Sequence, residues 1–343
     1  LAAPFLPFRP WVSSRRQAWS RRFLLLPGTL ALLLLAACRA PGSGSAPSAS
    51  PAPPEGPRRL RVVTTVLPIT LFTRAVASGC AAVEPLLPSD VGPHDVQTSP
   101  SQLARLRDAD VLVINGLGLE TFLDKLIAAA GQPQLRVIDA SRGIPTLASS
   151  KDAPSQDGED HGHDHGHDHA HGAVNPHVWL DPQRAARQVA TIRDGLVAAD
   201  PPCRQRYTAN AAALLAELGR LDADLARQLA PYAGRAFVAF HDTAPYFAER
   251  YRLQAHFLVD VPEENPSPAD LQRVTRLVRD ADLRALLAEP QAAGRSFQSL
   301  ARDLGLKVAV FDPMETGPAA ATGGHYAETM RRNGNELVRA FGG

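Results

Sequence analysis

Residues 204–230, RQRYTANAAALLAELGRLDADLARQLA, read as a single long helix. The stretch is rich in alanine, leucine and charge and contains no proline, with Gly219 as its one breaker; such side chains lose little freedom in a helix. On either side the pattern changes to short β-branched runs alternating with helical stretches. Before the helix, strands are expected at Leu60–Val66, Val83–Leu87, Val111–Asn115 and Arg136–Asp139. Helices are expected over Ile69–Ala77, Pro100–Arg107 (capped by Thr98 or Ser99), Glu120–Ala130 and Gln183–Ala198. After Pro231 the alternation resumes, with strands at Ala236–Phe240, Ala255–Val259, Ala285–Ala288 and Lys307–Phe311. The helices of this part fall at Ala244–Arg250, Pro268–Arg279, Ser296–Asp303 and Tyr326–Phe341. Strand alternating with helix calls for a parallel sheet covered by helices. The expected fold is therefore α/β in two halves, 59–203 and 232–343, joined by a linking helix over 204–231.

What precedes residue 59 is of another kind. Residues 1–37 carry Arg9, Arg15, Arg16, Arg21 and Arg22 with no acidic residue, then an apolar run that ends in Leu35-Ala36-Ala37-Cys38. A basic start, a short apolar segment and small residues before a cleavage point describe a secretory signal peptide. The run is too short and too broken to span a bilayer, which takes about 20 apolar residues. Cys38 directly after Leu-Ala-Ala is similar to a bacterial lipoprotein signal, with Cys38 lipidated. Residues 38–58 are small, polar and proline-rich and read as a flexible tether. Loss of the five arginines takes the formal net charge from +1 to about −4, which argues against a nucleic-acid partner. Cys80 and Cys203 are the other cysteines. Export permits a disulfide between them, and two separate buried thiols fit the sequence equally well.

The chemistry lies in histidine. Of 11 histidines, six crowd into one run: His161, His163, His165, His167, His169 and His171. The spacing by Gly and Asp gives no apolar periodicity, so 151–174 is expected to be a loop with weaker, auxiliary zinc binding. Three single histidines sit beside turn residues. His94 lies in Gly-Pro-His-Asp after the second strand, His177 in Asn-Pro-His-Val-Trp-Leu-Asp-Pro, and His241 in Phe-His-Asp after the first strand of the second half. Asp312 follows that half's last strand. Parallel α/β sheets bind ligands beyond the carboxyl ends of their strands, and three imidazoles with one carboxylate suit tetrahedral Zn²⁺. Asp95 and Asp242, next in sequence to two of these histidines, are candidates to orient the rings.

The ordered set Gly92-Pro93-His94-Asp95, Asn115-Gly116-Leu117-Gly118-Leu119-Glu120, Asn175 to Pro182, Phe240-His241-Asp242 to Tyr246-Phe247, Glu289-Pro290-Gln291 and Tyr326, Met330, Asn333 resembles the metal-specific substrate-binding proteins of ABC importers. These form the TroA-like superfamily, and the likeness is to its zinc-uptake branch, over residues 60–341. The resemblance implies two (β/α) lobes, each with a parallel four-stranded sheet, bridged by a rigid backbone helix with metal between them. It implies His94, His177, His241 and Asp312 as the ligands of Zn²⁺. It also implies a monomeric, extracytoplasmic, membrane-anchored protein, not an enzyme, whose partners are an ABC permease and its ATPase subunit. Manganese-type relatives usually carry Glu where this chain has His241, and three nitrogen donors suit zinc better than manganese. Two alternatives remain at this stage: a manganese-type or adhesin-like member of the superfamily, and a zinc hydrolase using a metal-activated water. A carboxylate in the fourth position speaks against the hydrolase.

Overall fold

The computed structural model describes residues 59–94, 96–149, 174–262, 265–280, 283, 285–290 and 295–342. The proposed signal segment, Cys38, Asp95 and His161 to His171 lie outside them. Strands β1 (Leu60–Thr64), β2 (Ala81–Pro85), β3 (Val111–Ile114) and β4 (Arg136–Asp139) form one sheet. They alternate with helices α1 (Leu67–Ala77), α2 (Pro100–Asp108) and α3 (Leu123–Ala130). Helices α4 (Pro182–Ala199) and α5 (Arg204–Leu229) follow. Strands β5 (Ala236–His241), β6 (Gln254–Val259), β7 (Ala285–Ala288) and β8 (Lys307–Val310) form a second sheet, with α6 (Pro245–Tyr251), α7 (Pro268–Asp280), α8 (Arg295–Asp303) and α9 (His325–Ala340). The strand orders are β2-β1-β3-β4 and β6-β5-β7-β8, the same order twice. All pairings are parallel, with Val63 opposite both Glu84 and Leu112, and Ala239 opposite both Phe257 and Leu287. In each sheet the chain leaves its first strand to one side and then crosses back to the other. That reversal opens a crevice at the carboxyl end of β1 and β5.

Local chemistry sets the helix starts. Ser99 caps α2 by accepting from the Gln102 amide while the Gln102 side chain accepts from the Ser99 amide, and Pro100 occupies the first turn. Asp181 does the same for α4 through the Gln183 amide, ahead of Pro182. Helix α5 buries Tyr207, Ala211, Leu214, Leu218, Leu221, Leu225 and Leu229, a spacing of three and four that keeps one face inward. Each buried leucine contributes about 1.5–3 kcal/mol. This stripe joins one continuous core that takes Phe72 and Val113 from the first half and Phe237, Phe247, Phe311 and Tyr326 from the second. Polar ties reinforce it. Arg250 of α6 donates to both carboxylate oxygens of Asp222 on α5, at 2.7 and 2.6 Å. Gln183 of α4 donates to the same carboxylate. Gly334 lets α9 lie against α5, because a Cβ there would meet Leu225 at 2.7 Å.

Cys80 and Cys203 are joined by a disulfide across 123 residues. Their sequence left pairing open; the fold settles it by laying the end of α1 beside the turn that opens α5.

Candidate metal centre

Three loops and one strand end deliver four side chains to one point. The loop after β2 carries His94, and the segment before a 3-10 turn (Val178–Leu180) carries His177. His241 is the last residue of β5, and Glu315 stands in the loop after β8. Their ligand atoms all lie within 4.8 Å of one another. The three imidazole rings approach with centroids 5.9, 5.7 and 5.4 Å apart. Glu315 Oε1 faces His94 Nε2 at 2.8 Å, His177 Nε2 at 3.0 Å and His241 Nε2 at 3.5 Å. A tetrahedral zinc site with bonds near 2.0–2.1 Å sets its ligand atoms about 3.3 Å apart, so these separations bracket the required edge. His177 and His241 are wholly buried, and Glu315 is 3 % exposed. A cavity of about 340 Å³, lined in part by Thr65, Pro88, Val91 and Pro318, borders Glu315.

Neighbouring side chains aim two of the rings. Asn175 Oδ1 accepts from both the amide and Nδ1 of His177, at 3.1 and 3.0 Å. Its Nδ2 donates to the Asp242 carbonyl at 2.7 Å, next to His241. Tyr246 donates its hydroxyl to the Asn175 carbonyl and accepts from the Leu147 amide. One side chain of α6 thus locks the segment that carries His177. His241 is held by Glu289, whose Oε1 lies 2.5 Å from Nδ1 and 3.2 Å from the His241 amide. With Nδ1–H directed at Asn175 or Glu289, Nε2 of either ring faces the centre and offers its lone pair there once it carries no proton.

Asp312 is placed outside this group, contrary to the ligand set expected from sequence. Its Oδ1 accepts from the Met314 amide at 2.8 Å, and its Oδ2 stands 3.9 Å from Arg332. Met314 takes a left-handed φ of 61°. That reversal, capped by Asp312, swings Glu315 inward in its stead. The turn is pinned from two sides. Asn333 of α9 both accepts from the Asp312 amide and donates to its carbonyl, at 2.9 and 2.8 Å, and Trp179 Nε1 donates to the Pro313 carbonyl. The ring-orienting role expected of Asp242 falls to Asn175 and Glu289. Both stood in the motifs quoted above, but spacing alone does not tell which neighbour reaches a ring. Asn115 and Glu120 serve the loop after β3: Glu120 accepts from the Asn115 and Gly116 amides and from the Thr65 hydroxyl.

Charge follows burial. Burial drives the His177 pKa down, against the pull of Glu315, which keeps the ring neutral and able to bind metal. For His241, burial acts the same way, but the Glu289 and Glu315 carboxylates outweigh it and lift the pKa to about 10. Burial would raise the Glu315 pKa, yet the imidazoles of His94, His241 and His177 gathered around it hold it well below the usual carboxylate range.

Comparison with known proteins agrees with this chemistry. Residues 62–340 match the family described as zinc-uptake complex component A, periplasmic. The chain is 32 % identical over 299 residues to the high-affinity zinc uptake system protein ZnuA of Bacillus subtilis, covering 87 % of this chain and 89 % of that one. It is 30 % identical over 278 residues to the zinc-binding lipoprotein AdcA of Streptococcus pneumoniae, covering 80 % of this chain and 54 % of AdcA, so it spans about half the length of that relative. The fold superimposes on the Zn(II)-bound ZnuA-like domain of S. pneumoniae AdcA with a TM-score of 0.67 at 28 % identity, over 82 % of this chain and 99 % of the domain. The two repeated parallel sheets, the bridging helix and the match over nearly the whole described chain lead to one assignment: this chain belongs to the ZnuA family of zinc-uptake substrate-binding proteins.

Proposed function

We propose that the chain captures Zn²⁺ as cargo outside the cytoplasm, holds it with His94, His177, His241 and Glu315, and delivers it to an ABC permease and its ATPase subunit. The observation that carries this reading is the buried convergence of three imidazole nitrogens and one carboxylate oxygen within 4.8 Å. The donor set favours zinc over manganese, which prefers more oxygen. Four protein ligands complete a tetrahedral shell, as in non-catalytic zinc sites, and leave no position for a reactive water. Binding without chemistry is what a carrier requires. Cys38 serves as the lipid anchor and the residues after it as a tether, and the chain acts as a monomer. His161, His163, His165, His167, His169 and His171 act as weaker, auxiliary zinc sites that raise the local metal concentration.

Calorimetric titration of the metal-free protein tests the reading. The wild type should take up one zinc tightly and manganese far more weakly. His241→Ala should lose roughly a hundredfold or more in zinc affinity, because a tetrahedral site loses one of four bonds. His256→Ala, on the half-buried β6, should keep wild-type affinity. Equal losses for the two variants would refute the ligand set.

A further inference from the structure

We propose that Glu289 is a positioning and charge-balancing residue for the metal, acting through His241; this rests on the zinc reading above. Glu289 follows β7 at the carboxyl end of the second sheet and is 1 % exposed. Its Oε1 meets two donors of a single residue, the Nδ1 and the backbone amide of His241. Its Oε2 is buried with no hydrogen-bond partner. A carboxylate in such a place is costly unless a positive charge compensates it. Among the hydrogen bonds and ion pairs of the described residues, every partner of Glu289 is on His241.

The balance closes once the cation is counted. Three neutral imidazoles and Glu315 around a divalent ion leave one buried positive charge. Glu289, one ring away, brings the total to zero. The same contact fixes the ring: with Nδ1–H donated to Glu289, the lone pair of His241 lies on Nε2, the atom that faces Glu315 at 3.5 Å. Partial negative charge passed through that hydrogen bond makes Nε2 a stronger donor, which favours zinc over harder divalent ions. His177 has a neutral amide oxygen, Asn175 Oδ1, in the equivalent place. At Nδ1, His241 therefore has an anionic partner where His177 has an amide oxygen.

A double-mutant cycle on the full chain tests this, with zinc affinity measured by chelator competition and folding checked by circular dichroism. Glu289→Gln keeps the size and an acceptor oxygen but removes the charge. It should weaken zinc binding about ten- to hundredfold, the range seen when such outer partners are lost. In the His241→Ala background the same change should alter affinity by less than about twofold, since its route to the metal is gone. The Co²⁺-loaded Glu289→Gln protein should also show shifted d–d bands, a signature that a purely structural role would leave in place. An equal loss in both backgrounds, or a loss below about twofold in the otherwise wild-type protein, overturns the proposal. Tight one-to-one zinc binding by the wild type in the same experiment keeps the parent reading standing in either case; without it, both fall.

Discussion

Asp312 and Glu315 stand three positions apart, and the backbone between them decides which carboxylate meets the histidines. The left-handed Met314 turns the chain back, and Asp312 spends an oxygen closing that turn. Glu315→Gln should therefore lower zinc affinity by roughly a hundredfold or more by removing a ligand's charge. Asp312→Asn, which can still accept from the Met314 amide, should cost less than about tenfold. Chelator competition on the two variants measures the difference, and the reverse ranking would restore Asp312 as the ligand. The pH dependence belongs at this scale too. In the zinc-free protein His241 has a pKa of about 10, so it is protonated at neutral pH and must release that proton to bind zinc. A raised folded-state pKa also means that charged His241 stabilises the zinc-free fold fully below about pH 6.5, and that this contribution is lost as pH rises through about 10. Zinc affinity should accordingly rise from pH 7 to 8.5, with about one proton released per ion. Titrations in buffers of different ionisation enthalpy read that number, and a value near zero would contradict the assigned charge state. The three histidines were legible because each sits beside Pro, Asp or Asn where a strand or loop turns. Glu315 was not, because a positive φ at a methionine leaves no mark in composition, and counting outward from a strand end stops at Asp312.

At the scale of elements, periodicity and turn chemistry placed every strand and α-helix of the described residues but not the short 3-10 turns, and the errors fall at their ends for identifiable reasons. Helix α3 was expected from Glu120 but begins at Leu123, because the Glu120 carboxylate closes the preceding loop on the Asn115 and Gly116 amides. The first strand was expected to reach Val66 but ends at Thr64, since Val66 is the extended residue that opens α1. Neither tertiary role shows in a local window. Pairing of the two cysteines was likewise beyond reach, because it depends on how α1 meets the start of α5. That disulfide closes a loop across 123 residues around nearly all of the first half. Long loops gain most from closure, typically about 2–4 kcal/mol. Cys80→Ser with Cys203→Ser should lower the melting temperature by roughly 5–15 °C while leaving zinc affinity within about twofold, because both positions lie away from the histidines. Calorimetry with zinc titration separates the two effects. An unchanged melting temperature would show that packing of α1 on α5 already fixes this corner.

The whole molecule repeats one sheet topology twice around a single bridging helix. Strand ends from both repeats supply the centre, with His94 and His177 from the first and His241 and Glu315 from the second. Neither repeat holds enough ligands alone. Zinc held as proposed ties distant parts of the chain together, and Asn175, which orients His177 and reaches the Asp242 carbonyl, couples the two contributions without metal. The repeat was readable from the order of strands and helices on either side of residues 204–230. The meeting point of the three histidines came only through the family resemblance, since spacing along the chain does not place the two sheets against each other. Anomalous diffraction at the zinc edge from crystals of the zinc-loaded full chain tests this arrangement most directly. A strong peak is expected with His94 Nε2, His177 Nε2, His241 Nε2 and one Glu315 oxygen each about 2.0–2.2 Å away. A peak bound by Asp312 in place of Glu315, or zinc held away from these three histidines with none between them, would contradict it.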